Sequence, residues 1–98
     1  MTATIGAARL SLYLEDTFSL KDKRQVVRSI TQKVRNQFNV GIAEVEDLDD
    51  ARVATLAIVC VSNSGAHADE MLRTVIRFIE QRVEMGVLGE IETELIPY

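Results

Sequence analysis

The chain predicts a two-layer α+β domain in which four strands and two helices follow one another as β α β β α β. Three observations carry that prediction. Apolar residues alternate between Ile5 and Leu14, they recur at helical spacing from Leu20 to Phe38 and again from Ala68 to Val83, and Val53 to Val61 is apolar on both faces. With 98 residues, 47% hydrophobic and 27% charged, the chain has the size of one domain with one core, spanning residues 1–98.

In the first strand Ala8, Leu10, Leu12 and Leu14 take one face while Ala7, Arg9, Ser11 and Tyr13 take the other, the period of two of a half-buried strand. Ser19 then offers a helix N-cap, with Asp22 three residues on in capping-box position. At about 100° per residue, Leu20, Val27, Ile30, Val34 and Phe38 gather on one side of a helix of about five turns, which Asn39 closes. Val40 to Glu46 reads as the second strand. The acidic run Glu46, Asp47, Asp49 and Asp50 makes the turn after it.

The run RVATLAIVCVS is β-branched and apolar on both faces, as a strand in the middle of a sheet is, and Asn63, Ser64 and Gly65 break it. From Ala66 to Glu84 a second amphipathic helix is expected, with Ala68, Met71, Leu72, Val75, Ile76, Ile79 and Val83 inward, ending near Gly86. In the tail, Val87, Gly89, Ile91, Thr93 and Leu95 alternate with Leu88, Glu90, Glu92 and Glu94. That is a strand with one wet, acidic face, stopped by Pro97.

With right-handed crossovers this order gives a ferredoxin-like sandwich: a four-stranded antiparallel sheet, both helices on one face, strands one and three in the centre. Its other face stays open and carries Arg9, Ser11 and Tyr13 beside Thr55, Ala57 and Val59. Exposed sheet centres and edges are usually paired or blocked, so a second copy is expected to cover this one, making a homodimer.

Cys60 stands alone inside an apolar run, which excludes an internal disulfide or a Cys-pair metal site and favours a buried thiol acting as a small hydrophobe. The N-terminus lacks the basic start of a signal peptide and carries Arg9 among its apolar residues; the longest apolar stretch, Val53 to Val61, is far short of the roughly 18 residues of a membrane span. A cytoplasmic protein with no membrane partner is the expectation. The net charge of −4 argues against nucleic-acid binding by the whole surface.

One stretch departs from that acidity. Ser19 to Phe38 sums to +5 while the remainder sums to −9. On the helical wheel Lys21, Arg24, Arg28 and Arg35 fall within about 60° of one another, beside the apolar arc, in a stripe about 21 Å long. Such a stripe can bridge phosphates of an RNA backbone; the plainer reading is a solvated helix face, and a third is contact with an acidic turn or strand of another subunit. Lys23 falls inside the apolar arc, where its stem should lie along the core and its ammonium reach outward.

His67, the single histidine, stands at the start of the second helix behind Ser62, Asn63 and Ser64. His67 and Asn63 are candidates for an anion or partner contact, against a capping or solvent-facing role. Glu44, Glu46, Asp47, Asp49 and Asp50 lack the spacing of a calcium loop and read as a solvated turn, so no metal and no cofactor is implied. The third strand has no aromatic rings on which bases could stack, and no base and nucleophile pair can be named.

Ser19, Leu20, Lys21, Lys23 and Arg24, followed by Val27 and Arg28, resemble the S-L-K-x-K-R signature of the YlxP-like family of small uncharacterised bacterial proteins. Phe38-Asn39-Val40, Ala43-Glu44-Val45, Val61-Ser62-Asn63 and Ala66-His67 extend the resemblance over nearly the whole chain. The family's Trp-Gln-Arg-Ala run before strand three is replaced here by Asp-Asp-Ala-Arg-Val-Ala. The resemblance implies a ferredoxin-like fold and, because members are often encoded beside translation and ribosome-maturation factors, a role linked to RNA. The expected function is a non-enzymatic accessory protein touching structured RNA or the ribosome through Lys21, Arg24, Arg28 and Arg35. The alternative is a dimeric interaction or small-ligand module using the open sheet face or the subunit interface.

Overall fold

A computed structural model describes residues 3–15, 17–82 and 86–98. The elements are β1 (Thr4–Leu14), α1 (Leu20–Gln37), β2 (Gly41–Glu46), β3 (Val53–Ser62), α2 (Gly65–Arg82) and β4 (Gly86–Pro97). Val83 and Glu84, expected in the second helix, lie outside the described residues. The strands form one sheet in the order β2-β3-β1-β4, every neighbouring pair antiparallel, so β1 and β3 are central as their apolar patterns require.

The register makes one face of the sheet a core. Leu10 lies opposite Leu56, Leu12 opposite Ala54 and Ala8 opposite Ile58. Onto this layer α1 brings Val27, Ile30 and Val34, and α2 brings Ala68, Leu72, Val75 and Ile79, all buried. Gly6 marks the closest approach: a Cβ there would stand 2.9 Å from Cys60 Sγ and 3.1 Å from Leu72 Cδ1, so only a residue without a side chain lets α2 settle at this level.

The first helix starts as its sequence predicts, with the Asp22 amide donating to Ser19 Oγ at 3.1 Å. The return bond reaches one residue further back, the Phe18 amide donating to the Asp22 carboxylate at 3.1 Å. The end differs from expectation. Phe38, in extended backbone at φ −127°, is the C-cap in place of Asn39, and its ring meets Phe78 edge-on at 5.2 Å, so the helix ends one residue earlier than expected, where the chain turns this ring onto α2.

The last strand also departs from simple alternation. Leu88 lies opposite Leu12 and Ile91 opposite Leu10, both facing the helices, an odd spacing that needs a bulge at Gly89 and Glu90 across from Ser11. Val87 therefore shares the open face with Tyr13, while Glu92 and Glu94 stand there opposite Arg9 and Ala7.

Candidate nucleic-acid interface

Lys21, Arg24 and Arg28 are exposed on α1, and among the described residues none of them pairs with an acid. Arg35 is placed differently. Its Nη2 donates to the backbone carbonyl of Ile42 at 2.7 Å, tying the last turn of α1 to β2. The guanidinium has five donors, so this bond leaves others free, but it fixes the group at the β2 edge of the sheet.

Lys23 is fully buried, at 0% exposure, against the expectation that its ammonium reaches solvent. Its Nζ donates to the carbonyls of Asp47 at 2.7 Å, Val53 at 3.1 Å and Leu48 at 3.3 Å. It also lies 2.8 Å from Glu44 Oε2. The ammonium has three protons for these four acceptors, and the carboxylate oxygen, which has no other partner, shares them with the carbonyls. The connection from β2 to β3 folds over the start of α1, and this supplies inside the protein the partners that water was expected to supply. Asp47 makes the turn possible with φ at 58°, a left-handed conformation that Asp tolerates, and its side chain accepts from Thr55 Oγ1 at 2.9 Å.

The acidic run is thereby divided. Glu44 serves Lys23, Glu46 pairs with Arg9 at 2.8 Å on the open face, and Asp50 Oδ1 accepts from the Arg52 amide at 2.9 Å. Among the described residues no group of three or more His, Cys, Asp or Glu side chains is placed to hold a metal ion. No described helix is long and apolar enough to cross a membrane.

At the start of α2 serine hydroxyls take up two backbone donors. The His67 amide donates to Ser64 Oγ at 3.3 Å, the Ser64 amide to Ser62 Oγ at 3.1 Å, and the imidazole Nδ1 lies 3.0 Å from Ser62 Oγ. His67 and Asn63 are both exposed, so the ring's other nitrogen and the amide face solvent. Cys60 is buried, its Sγ 3.7 Å from the carbonyl of Ala68. Burial pushes its thiol pKa up, opposed more weakly by a hydrogen bond from the Gly6 backbone.

The open sheet face carries two shallow recesses. One, of about 260 Å³, lies between Arg9, Tyr13, Glu46, Thr55, Glu90 and Glu92; the other, of about 220 Å³, adjoins it over Ala7, Ala57 and Val59. The first is lined by polar side chains throughout, the second by a mixture of small apolar residues with Arg9, Glu92 and Glu94 at its rim.

The topology and the single helical layer define a ferredoxin-like α+β protein, with a basic helix face on α1 beside a buried, hydrogen-bonded lysine. The chain belongs to the DUF503 family, a protein family of unknown function, with the match running over residues 5–91. It is 35% identical over 81 residues to the uncharacterized protein YlxP of Bacillus subtilis (strain 168), covering 83% of this chain and 88% of that one. Among solved structures it is similar to a dimeric ferredoxin-like protein of unknown function from Thermobifida fusca YX, with a TM-score of 0.48, 15% identity and coverage of 96% and 92%. It is also similar to a putative chlorite dismutase, with a TM-score of 0.50 and 17% identity, covering 97% of this chain and 43% of that one. At these identities the structural likeness is one of fold.

Proposed function

We propose that the protein is a non-enzymatic accessory factor that contacts structured RNA, on its own or within the ribosome, through Lys21, Arg24 and Arg28, with Arg35 at the end of the stripe. The observation that carries this reading is three exposed cations along one side of α1, with no acidic partner among the described residues, on a chain whose net charge is −4. Most helices mix signs along such a face, and a net-acidic protein has no general need of an unneutralised basic one. Phosphate contacts would position the protein, and selectivity would come from RNA shape, since β3 offers no aromatic platform. His67 and Asn63 would supply a secondary contact.

The test compares wild type with the Lys21→Glu, Arg24→Glu, Arg28→Glu variant in binding to total RNA and to small ribosomal subunits at two salt concentrations. Three phosphate contacts give a slope of about −2.1 to −2.7 in log affinity against log salt, roughly 18- to 42-fold between 50 and 200 mM. Binding of that steepness, lost in a folded variant, is the expected result. Binding indifferent to both salt and charge reversal refutes the RNA reading.

A second reading is favoured by the exposed apolar side chains on the open sheet and its edge, among them Val59, Val61, Val87 and Ile96. On that reading the protein is an interaction module, a homodimer being its simplest form. Its binding would persist at high salt, which separates it from the first.

A further inference from the structure

The two edges of the sheet are built differently. The β2 edge is six residues long, is broken by a bulge at Val45, and has the carbonyl of Ile42 occupied by Arg35. Short length, a bulge and a charged side chain on the backbone are the usual means of keeping a foreign strand off an edge. The β4 edge is longer and, after its bulge, continuous from Ile91 to Pro97, with no described side chain bonded to its backbone; its guards are the charges of Glu92 and Glu94 and the terminal Pro97. It also exposes Val87, Ile91, Leu95 and Ile96, each by more than a third. An edge this long and apolar is a template for another strand.

Charge selects the strand. Glu92 and Glu94 stand on the open face of β4 opposite Arg9 and Ala7, with Glu90 beside them at the bulge. Arg9, the nearest cation, is already paired with Glu46, and none of the three glutamates has an ion-pair partner among the described residues. A second β4 is a poor occupant. Antiparallel pairing about a two-fold axis at any residue from Ile91 to Glu94 sets one of these glutamates against another or against its own copy, and like charges directly opposite destabilise a ladder; an axis at Leu95 escapes this only by pairing the short end from Glu92 to Tyr98, with Pro97 in the ladder and unable to donate. A polyphosphate is repelled by the same row. A strand with lysine or arginine at every second position places one cation opposite each glutamate, at the repeat of about 6.7 Å that β4 itself has, while its intervening residues lie over Ile91 and Leu95.

We propose that the outer edge of β4 receives an extended segment of a basic protein, with Lys or Arg alternating with apolar residues, as a fifth strand of the sheet. This rests on the interaction-module reading and names its partner; it is independent of RNA contact by α1.

The probes are three labelled peptides: one alternating lysine and valine, one of the same composition in two blocks, and one alternating glutamate and valine. The alternating lysine peptide should bind and protect the Ile91–Pro97 amides from hydrogen exchange. Glu92→Lys with Glu94→Lys, at exposed positions, should weaken it at least about tenfold and confer binding of the glutamate peptide. Equal binding of the block peptide, or protection elsewhere than β4, overturns the proposal. A dimer whose β4 amides are protected without peptide also overturns it, yet leaves the interaction-module reading standing; a monomer that binds no peptide removes both.

Discussion

The ammonium of Lys23 and the carboxylate of Glu44 lie 2.8 Å apart beneath the β2–β3 connection, with three backbone carbonyls completing the cage around the cation. This relationship gives the second lysine of the S-L-K-x-K-R run a structural role, while the first lysine and the arginine beside it remain on the surface. One turn of helix thus carries both the anchor of the hairpin and the exposed cations.

Lys23→Met should therefore be among the most destabilising single changes in the chain. It leaves Glu44 as a largely buried charge and three carbonyls without donors, a loss of about 3 to 5 kcal/mol. Adding Glu44→Gln should recover part of this, because the stranded charge is gone while the carbonyls remain bare. Chemical denaturation of the two variants checks both statements; Lys23→Met within about 1 kcal/mol of wild type would show that the cage contributes little.

Gly89 lies under the ring of Tyr13, so close that a Cβ at this position would overlap the ring. Gly89→Ala should push the half-exposed Tyr13 ring aside at a cost of about 1 kcal/mol, at the low end for overpacking because the ring can move toward solvent, and Tyr13→Ala in the same chain should return most of it. With no tryptophan and two tyrosines, the displacement of Tyr13 is directly visible in tyrosine fluorescence and near-ultraviolet dichroism. If Gly89→Ala alters neither the signal nor the stability, the ring is not seated on the bulge.

What could be read from the letters was local. The alternation in β1, the cap at Ser19 and the apolar arc of α1 each depend on neighbours within a few residues, and each appears where expected. The partners of Lys23 come from 24 to 30 residues further on, so its place in the apolar arc was legible but what it meets there was not. In β4 the letters alternate smoothly through Gly89 and Glu90, and only pairing with β1 reveals the bulge that turns Leu88 to the helix side and Val87 to the open face while Ile91 stays inward. Of the basic stripe, the side of α1 was legible for all four residues; the diversion of Arg35 to Ile42 depends on where β2 passes.

Because Arg35 holds the Ile42 carbonyl, Arg35→Ala should lower stability by about 1 kcal/mol and leave the β2 edge uncovered. Arg28→Ala, exposed and without an ion-pair partner among the described residues, should stay within about 0.5 kcal/mol of wild type. Thermal denaturation with light scattering distinguishes them: Arg35→Ala should unfold earlier and self-associate more readily, and identical behaviour of the two would show that Arg35 is only a surface charge.

The thiol of Cys60 gives a stability that depends on pH. Burial raises its pKa in the folded state, so the native protein keeps this proton at pH values where the unfolded chain has lost it. The contribution is therefore complete below the unfolded thiol's pKa, roughly 8.5, and falls as pH rises from there through the higher folded value. Denaturation midpoints measured at neutral and at alkaline pH should diverge more for wild type than for Cys60→Ala, whose cavity lowers stability about equally at both. Thiol reagents should react with the native protein only at the rate of its opening, since the sulfur is buried between Gly6 and the Ala68 carbonyl of α2. Rapid labelling at neutral pH, or an alkaline loss unchanged in Cys60→Ala, would place the titrating group elsewhere.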